Sequence, residues 1–532
     1  MRSISRRTTL VGVLAAAVIA VTAACSSGTS GSGSTSSAAG SAAGSAAASV
    51  SVAPGGDLVI ARSDESKTLD PAAAVTPADI APIHEIFDRL YELSEDGQSV
   101  VPSLAASDSV SADGKTWTIT LRDGVTFSDG TPLTAKDVAY SLDRSRTSDG
   151  AFSFLLSPIA SVTAKDDKTV EIVTSEPSAT LLPGLSSWVA SIVPADLDGK
   201  SAEDFFAAPV GSGPFAFGEW VRGQYLSLKR NPSSWQDGKP LLDSVRWNTV
   251  PDANTRVSQV QAGQADVASD IPFSQVDSLK NAADVTAADF PANYTSVVIF
   301  NESFEPFADV HVRRAIAQAI DRNAVTTSAL FGSGEAACSL VPPTMPYSAN
   351  ENCLPFDLTA AKAEMAKSAY PDGFAVDLTI DNQPASSTVA QIIQAQLAEL
   401  GITVTIKVVD SGQLYTTFGQ RGYQMGLAAW ASDIPDPDEQ LTFMLDPKAG
   451  GESYYTGYDN PTVTDLINKA RATLDSDQRA QLYAQVQQTV AQEVPQLPLS
   501  NQSNAYAWSR KVQNLDVNPM GILDLPSIGI SG

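Results

Sequence analysis

The sequence predicts an α/β protein built on an open sheet, and three observations carry that prediction. From residue 374, "FAVDLTID" alternates Phe374, Val376, Leu378 and Ile380 at the period of a strand. "STVAQIIQAQLAELG" then sets Val389, Ile392, Ile393, Leu397 and Leu400 at helical spacing with Gly401 as the stop, and "ITVTIKVV" alternates again, which makes a βαβ unit. Earlier, "GKTWTITLRDG" reads as a strand with Trp117, Ile119 and Leu121 on one face. "TAKDVAYSLDR" follows as a helix whose start is marked by Thr134 and, three residues on, Asp137. Finally, the ~475 residues that follow the N-terminal segment exceed what one core usually supports, so two or three subdomains are expected.

In chain order, the sequence opens with Arg2, Arg6 and Arg7, an apolar run from Leu10 to Ala20 and the small pair Ala23-Ala24. These are the parts of an export signal, over residues 1–24, and the apolar run is too short for a membrane span. "VTAAC" resembles a bacterial lipobox, in which the cysteine, here Cys25, is diacylated and becomes the new N-terminus. "SRRTTL" leaves Sec and twin-arginine export both open. Residues 25–56, after Cys25, are almost all Ser, Gly and Ala and read as a flexible tether. The expectation is a folded body held to the outer face of the cell membrane by a lipid, with no other stretch apolar enough to span a bilayer.

The chain has 34 basic and 60 acidic residues, a net charge of −26. Removing the signal takes Arg2, Arg6 and Arg7 with it and leaves 31 basic against 60 acidic, or −29. Such a balance argues against nucleic acid or anionic lipid as partners and favours solubility. Cys338 and Cys353 flank a proline-rich loop, "SLVPPTMPYSANEN", and an exported protein is expected to bond them. A metal or catalytic role for them is poorly supported, because the chain's only histidines, His84 and His311, are remote from both in sequence.

"DVHVRRAIAQAIDR" sets Val312, Ala315, Ile316, Ala319 and Ile320 on one helical face. Further helices are expected near 462–474 and 476–493, before a return segment, "PQLPLSNQSNAYAWS". Between these lies an odd juxtaposition. The apolar "YQMGLAAW" reads as a buried strand, and it runs directly into "ASDIPDPDEQL", with Asp433, Asp436, Asp438 and Glu439. Pro435 and Pro437 end the strand pairing there. In open α/β sheets ligands sit beyond the C-terminal ends of strands. Trp430 and Asp433 therefore read in two ways, as an aromatic wall with a carboxylate for a ligand, or as a core tryptophan with a turn-capping aspartate.

Several segments together resemble the bacterial extracellular solute-binding proteins of the peptide/nickel type, which serve ATP-driven importers. They are "SADGKTWTITLRDGVTFSDGTPLTAKDVAYSLDR" (111–144), "PVGSGPF" (209–215), "LKRNPSSWQDGKPLLDSVRW" (228–247), "FNESFEPFADVHVRRAIAQAIDR" (300–322) and "WASDIPDPDEQL" (430–441). The resemblance covers nearly all of 57–510. It implies a two-lobed periplasmic-binding-protein-like fold, with an extra subdomain on lobe I and a ligand cleft between the lobes. Lobe I would combine 57–100, 213–298 and 495–532, the extra subdomain 101–212, and lobe II 299–494.

The same resemblance implies a binding protein, not an enzyme, with no cofactor and no metal. It would capture a small-molecule or peptide ligand as a monomer and deliver it to the permease subunits of an ABC transporter. Asp433 takes the position whose aspartate pairs with a peptide's α-ammonium, with Trp430 beside it. Ala431 and Ser432 would lend backbone to an extended ligand. Val75 aligns with a backbone-contacting position. Some relatives carry an arginine on this strand for a peptide carboxylate; Leu427 stands there, and Arg421 is the nearest substitute. Asp436, Asp438 and Glu439 are expected in solvent. Oligosaccharides or other small solutes are the alternative within the family. A secreted hydrolase is the alternative outside it, although the sequence has no G-x-S-x-G, no H-E-x-x-H and no Gly-rich phosphate loop.

Overall fold

The computed structural model describes residues 53–349 and 353–531. The export signal, Cys25 and the tether up to residue 52 lie outside the described residues. The frame is one mixed sheet of eleven strands. Its spatial order is Thr403–Val408, Ala375–Ile380, Met425–Ala431, Val285–Phe300, Gln496–Ser509, Val267–Ala268, Asp57–Arg62, Ser244–Thr249, Tyr225–Arg230 and Phe215–Val221, with Glu335–Ala336 added beside Gln496–Ser509. Two of these strands are much longer than the rest. Val285–Phe300 and Gln496–Ser509 run antiparallel and belong to both halves of the sheet. One end pairs as Val285 with Ser509 and the other as Ile299 with Gln496. Between Pro291 and Thr295 the register shifts, and Pro291 has no N–H to give to the ladder. The two halves of the sheet are thus joined by two strands with an irregularity where they cross.

The βαβ unit forms as its periodicity predicts. Ala375–Ile380 pairs in parallel with Thr403–Val408 through the helix Pro384–Leu397. Gly401 takes the left-handed φ of 74° after the helix, and a Cβ there would lie 2.6 Å from the Asp372 carbonyl oxygen. That combination of turn and close approach admits only glycine. The next crossover returns to the other side of Ala375–Ile380, where Met425–Ala431 pairs in parallel at Leu378–Met425 and Thr379–Gly426. The strand order reverses at this point, which opens a crevice beyond the C-terminal strand ends.

Two apolar clusters pack this half of the sheet. One includes Val312, Ala315, Ile316, Ala319 and Ile320 from the helix Val310–Ala319 and its end, all essentially inaccessible. The other includes Tyr483 and Val486 from Ser476–Glu493 and Ile467 from Pro461–Ala472.

A separate four-stranded antiparallel sheet stands on the other half, in the order Ala105–Val110, Thr116–Leu121, Thr169–Thr174, Ile159–Ala164. Trp117, Ile119 and Leu121 point inward, as their alternation requires. The helix Ala135–Arg146 starts where Asp137 accepts the Thr134 N–H at 2.7 Å and its hydroxyl at 2.8 Å. This small sheet shares one continuous apolar cluster with the main sheet, since Ile119 and Val138 belong to the same cluster as Leu58 and Ile83. It is an extension of that half and has no core of its own.

Candidate functional site

Met425–Ala431 is hydrogen-bonded along its whole length to Val285–Phe300, with Tyr294 opposite Ala431 and Phe300 opposite Met425. On its other edge the partner strand ends at Ile380, so the pairing there stops at Gly426. The strand therefore extends beyond its neighbour with one edge open. Into that edge reach two tyrosine hydroxyls, which donate to the Ala429 carbonyl from Tyr454 at 2.7 Å and from Tyr415 at 3.4 Å.

A cavity of about 1050 Å³ lies at the strand's C-terminal end. Trp430, Asp433, Ile434, Glu439 and Phe443 form one wall, and Phe152, Phe154, Leu155 and the turn from Ser175 to Ser178 form the facing wall. Trp430 stacks on Phe443 with ring centroids 4.9 Å apart and meets Tyr454 edge-on at 5.8 Å. The two halves of the molecule also meet here, because Ile434 packs into the apolar cluster of the opposite half.

Contrary to expectation, Asp436, Asp438 and Glu439 are not in solvent, whereas Asp433 is half-buried. Asp436, Asp438 and Glu439 are all less than 9% exposed. The reason is that the helix Pro437–Leu445 begins inside the fold, facing the two helices that follow it. Asp436 caps it by accepting the Asp438 N–H at 2.9 Å. Asp436 also forms a two-pronged ion pair with Arg479 from Ser476–Glu493, at 2.5 and 2.8 Å. Asp438 pairs with Arg471 from Pro461–Ala472 at 2.9 Å. Glu439 reaches back to accept the Asp433 N–H at 3.0 Å. The arrangement resembles a capping box displaced toward the strand, so a D-x-x-E pattern was the available signal for a structured turn.

Asp433 itself lines the cavity, and the Glu439 carboxyl is its hydrogen-bonding neighbour. Burial pushes the Asp433 carboxyl up to about 6. Glu439 is pushed well above the usual carboxylate range, by burial first and by the Asp433 charge second. An acid whose pKa is raised by burial on the wall of a largely apolar cavity is suited to a cationic partner.

The other sequence candidates are dispersed. Ser432 is buried, and its N–H is committed to the Asn293 carbonyl at 3.0 Å. Ala431 is exposed at the strand's end opposite Tyr294. Arg421 precedes the opposite end of the strand, where it pairs with Glu452 at 2.9 Å, and it does not line this cavity. Leu427 lies within the strand opposite Val298. Val75 is 47% exposed in the loop before the helix Pro77–Ile86 and does not line the cavity either. Cys338 and Cys353 are joined to each other. Sequence reasoning missed the facing wall. Its one signal was "AFSFLLSP", an apolar run with Gly150 before it and Pro158 at its end, and Phe154 remains 47% exposed there. Among the described residues no group of three or more His, Cys, Asp and Glu is placed to hold a metal ion.

The sequence profile of "Bacterial extracellular solute-binding proteins, family 5 Middle" matches residues 99–452. The chain belongs to that family. It is 30% identical over 473 residues to the glutathione-binding protein GsiB of Salmonella typhi, covering 87% of this chain and 92% of that one. Among solved structures it is similar to the periplasmic binding protein DppA of Helicobacter pylori in complex with the peptide STSA, with a TM-score of 0.75, 25% identity and coverage of 90% of this chain and 99% of that one. A third similarity is to AgaA of A. tumefaciens R10 in complex with agropinic acid, with a TM-score of 0.74, 28% identity and coverage of 90% and 99%. As a family member the chain is a substrate-binding protein of the peptide/nickel type of ABC importer, not an enzyme, and works on the extracytoplasmic side. The two-lobed α/β fold is that of the periplasmic binding proteins.

Proposed function

We propose that this family member captures a peptide with a free α-ammonium group and presents it to an ABC permease while tethered to the membrane through lipidated Cys25. The lobes that close on the ligand are 57–100, 213–298 and 495–532 on one side, with 101–212 as the extra subdomain, and 299–494 on the other. The two long strands that cross between the halves are the hinge. One observation carries the reading: Asp433 stands on the cavity wall at the end of a strand whose edge is open. An extended peptide adds its backbone to such an edge, and its ammonium then reaches the carboxylate. Trp430 and Phe443 on one side and Phe152 and Phe154 on the other supply the apolar walls for side chains.

The charge of the lining separates peptides from glutathione. Glutathione carries two carboxylates, whereas the one cation among the described lining residues is Arg471, already engaged by Asp438. Peptides with few carboxylates are therefore the better fit. Calorimetry with a tripeptide panel, its N-acetylated counterparts and glutathione tests this. Free-amine peptides are expected to bind at least tenfold more tightly than acetylated ones in the wild type. Asp433→Ala is expected to remove most of that difference. Equal binding of free and acetylated peptides, or a clear preference for glutathione, would overturn the peptide reading.

A further inference from the structure

Glu439 is the one carboxylate of the acidic turn, apart from Asp433, with no cation. Arg479 of Ser476–Glu493 is taken by Asp436 and hydrogen-bonded to Tyr483 at 3.0 Å, and Arg471 of Pro461–Ala472 is taken by Asp438. Across the cavity the facing wall offers Glu176, another acid, and the group beside Trp430 is the phenol of Tyr454. Glu439 Oε2 accepts the Asp433 N–H, while Glu439 Oε1 is buried with no donor. Its neighbour is the Asp433 carboxyl, and both residues line the cavity. Two carboxyls in contact on an apolar wall, with the nearby cations among the described residues already paired, cannot both be ionised at modest cost. A single proton between them supplies the donor that Oε1 lacks.

We infer that Glu439 is a second ligand-binding carboxyl and that the ligand's ammonium group replaces a proton shared between Asp433 and Glu439. This rests on the amine reading of the site and goes beyond it. The charge balance makes the exchange favourable. Before binding, two carboxyls and one proton carry −1. After binding, two carboxylates and one ammonium also carry −1, and the proton has gone to solvent. An ammonium has three N–H donors, enough for both carboxylates. A neutral ligand can displace the proton only by leaving two bare carboxylates. The pair thus selects for a protonated nitrogen more strongly than one aspartate would. As pH rises and the shared proton is lost from the empty protein, the competition disappears, so affinity increases with pH and then levels off.

The test has a ligand-free and a ligand-bound part. Difference infrared spectroscopy on the empty full-length body at pH 7 is expected to show a protonated carboxyl that Glu439→Gln abolishes. Glutamine keeps the acceptor for the Asp433 N–H and gives Asp433 an N–H in place of the shared proton, so the variant retains the turn. Calorimetry with the free-amine tripeptide panel, in two buffers of different ionisation enthalpy, is expected to show close to one proton released per ligand near pH 6. Release should decline as pH rises and the empty pair loses its shared proton, and Glu439→Gln should release none between pH 5.5 and 8. A wild type with no protonated carboxyl at pH 7, or free-amine binding with no proton release between pH 5.5 and 8, overturns the role of Glu439 and leaves that of Asp433 standing. Failure of every free-amine tripeptide to bind removes the amine reading instead.

Discussion

Replacing Arg479 with methionine is the perturbation that most directly probes how the site is held. The guanidinium meets Asp436 at 2.5 and 2.8 Å, and the two side chains are 5% and 2% exposed. It also donates to the Ala470 carbonyl at 3.0 Å and so ties the two helices together. Methionine keeps most of the apolar stem and removes the charge, which leaves Asp436 ionised, buried and unpaired. Breaking a buried pair in this way costs about 3–5 kcal/mol. Arg479→Met should therefore lower the unfolding free energy by that amount, read from urea denaturation with coincident fluorescence and circular-dichroism transitions. The effect comes from the stranded charge more than from lost contacts, so adding Asp436→Asn should restore most of it; asparagine still caps the helix Pro437–Leu445. A loss under about 1 kcal/mol for the single variant would refute the reasoning. So would a double variant no more stable than the single. Because the same helix start carries Glu439 and the turn to Asp433, the single variant should also weaken ligand binding.

Three further outcomes are expected. Asp433 and Glu439 titrate above their unfolded values in the empty protein, so their contribution to stability is full below about pH 4 and is lost as pH rises through about 6 and beyond. Glu439→Gln removes one of two facing carboxyls and should therefore lose less stability than wild type as pH rises from 4.5 to 8; thermal melts across this range check the sign. Gly211→Ala should destabilise by at least about 2 kcal/mol, because a Cβ would stand 2.0 Å from the Ile86 carbonyl oxygen and either the loop or the helix end must move; a melt within a degree of wild type would contradict this. Cys338→Ser with Cys353→Ser opens a loop of 15 residues and should cost about 3 kcal/mol, measured against wild type in the absence of reductant.

Much of the fold was legible because it is written in local periodicity. The alternation from Phe374 to Ile380, the helical spacing from Val389 to Leu400 and the stop at Gly401 each depend only on near neighbours in sequence, and each element stands where its pattern puts it. The abrupt change from "GLAAW" to "DIPDPDE" likewise marked a strand end, with Trp430 among its last paired residues and Asp433 just beyond it.

What the tertiary structure alone decided was pairing. The acidic turn looked solvated because its cations, Arg471 and Arg479, lie on helices whose positions along the chain were predictable but whose facing was not. Which way an arginine on a helix points is fixed by how that helix packs on its neighbours, and no local pattern records it. The edge left without a strand partner beyond Gly426 depends on Ala375–Ile380 ending short of Met425–Ala431, a matter of register between strands that the chain visits separately. The facing wall at Phe152 and Phe154 comes from the helical turn Ser153–Leu156 that leads into the small antiparallel sheet, distant in sequence from the aspartate it confronts. Sequence pointed to the carboxylate; only packing could half-bury it, engage the neighbouring arginines with Asp436 and Asp438, and set a second carboxyl beside it. These three together give the site its chemistry, because a charge is costly or harmless according to what lies within a few ångströms of it in space.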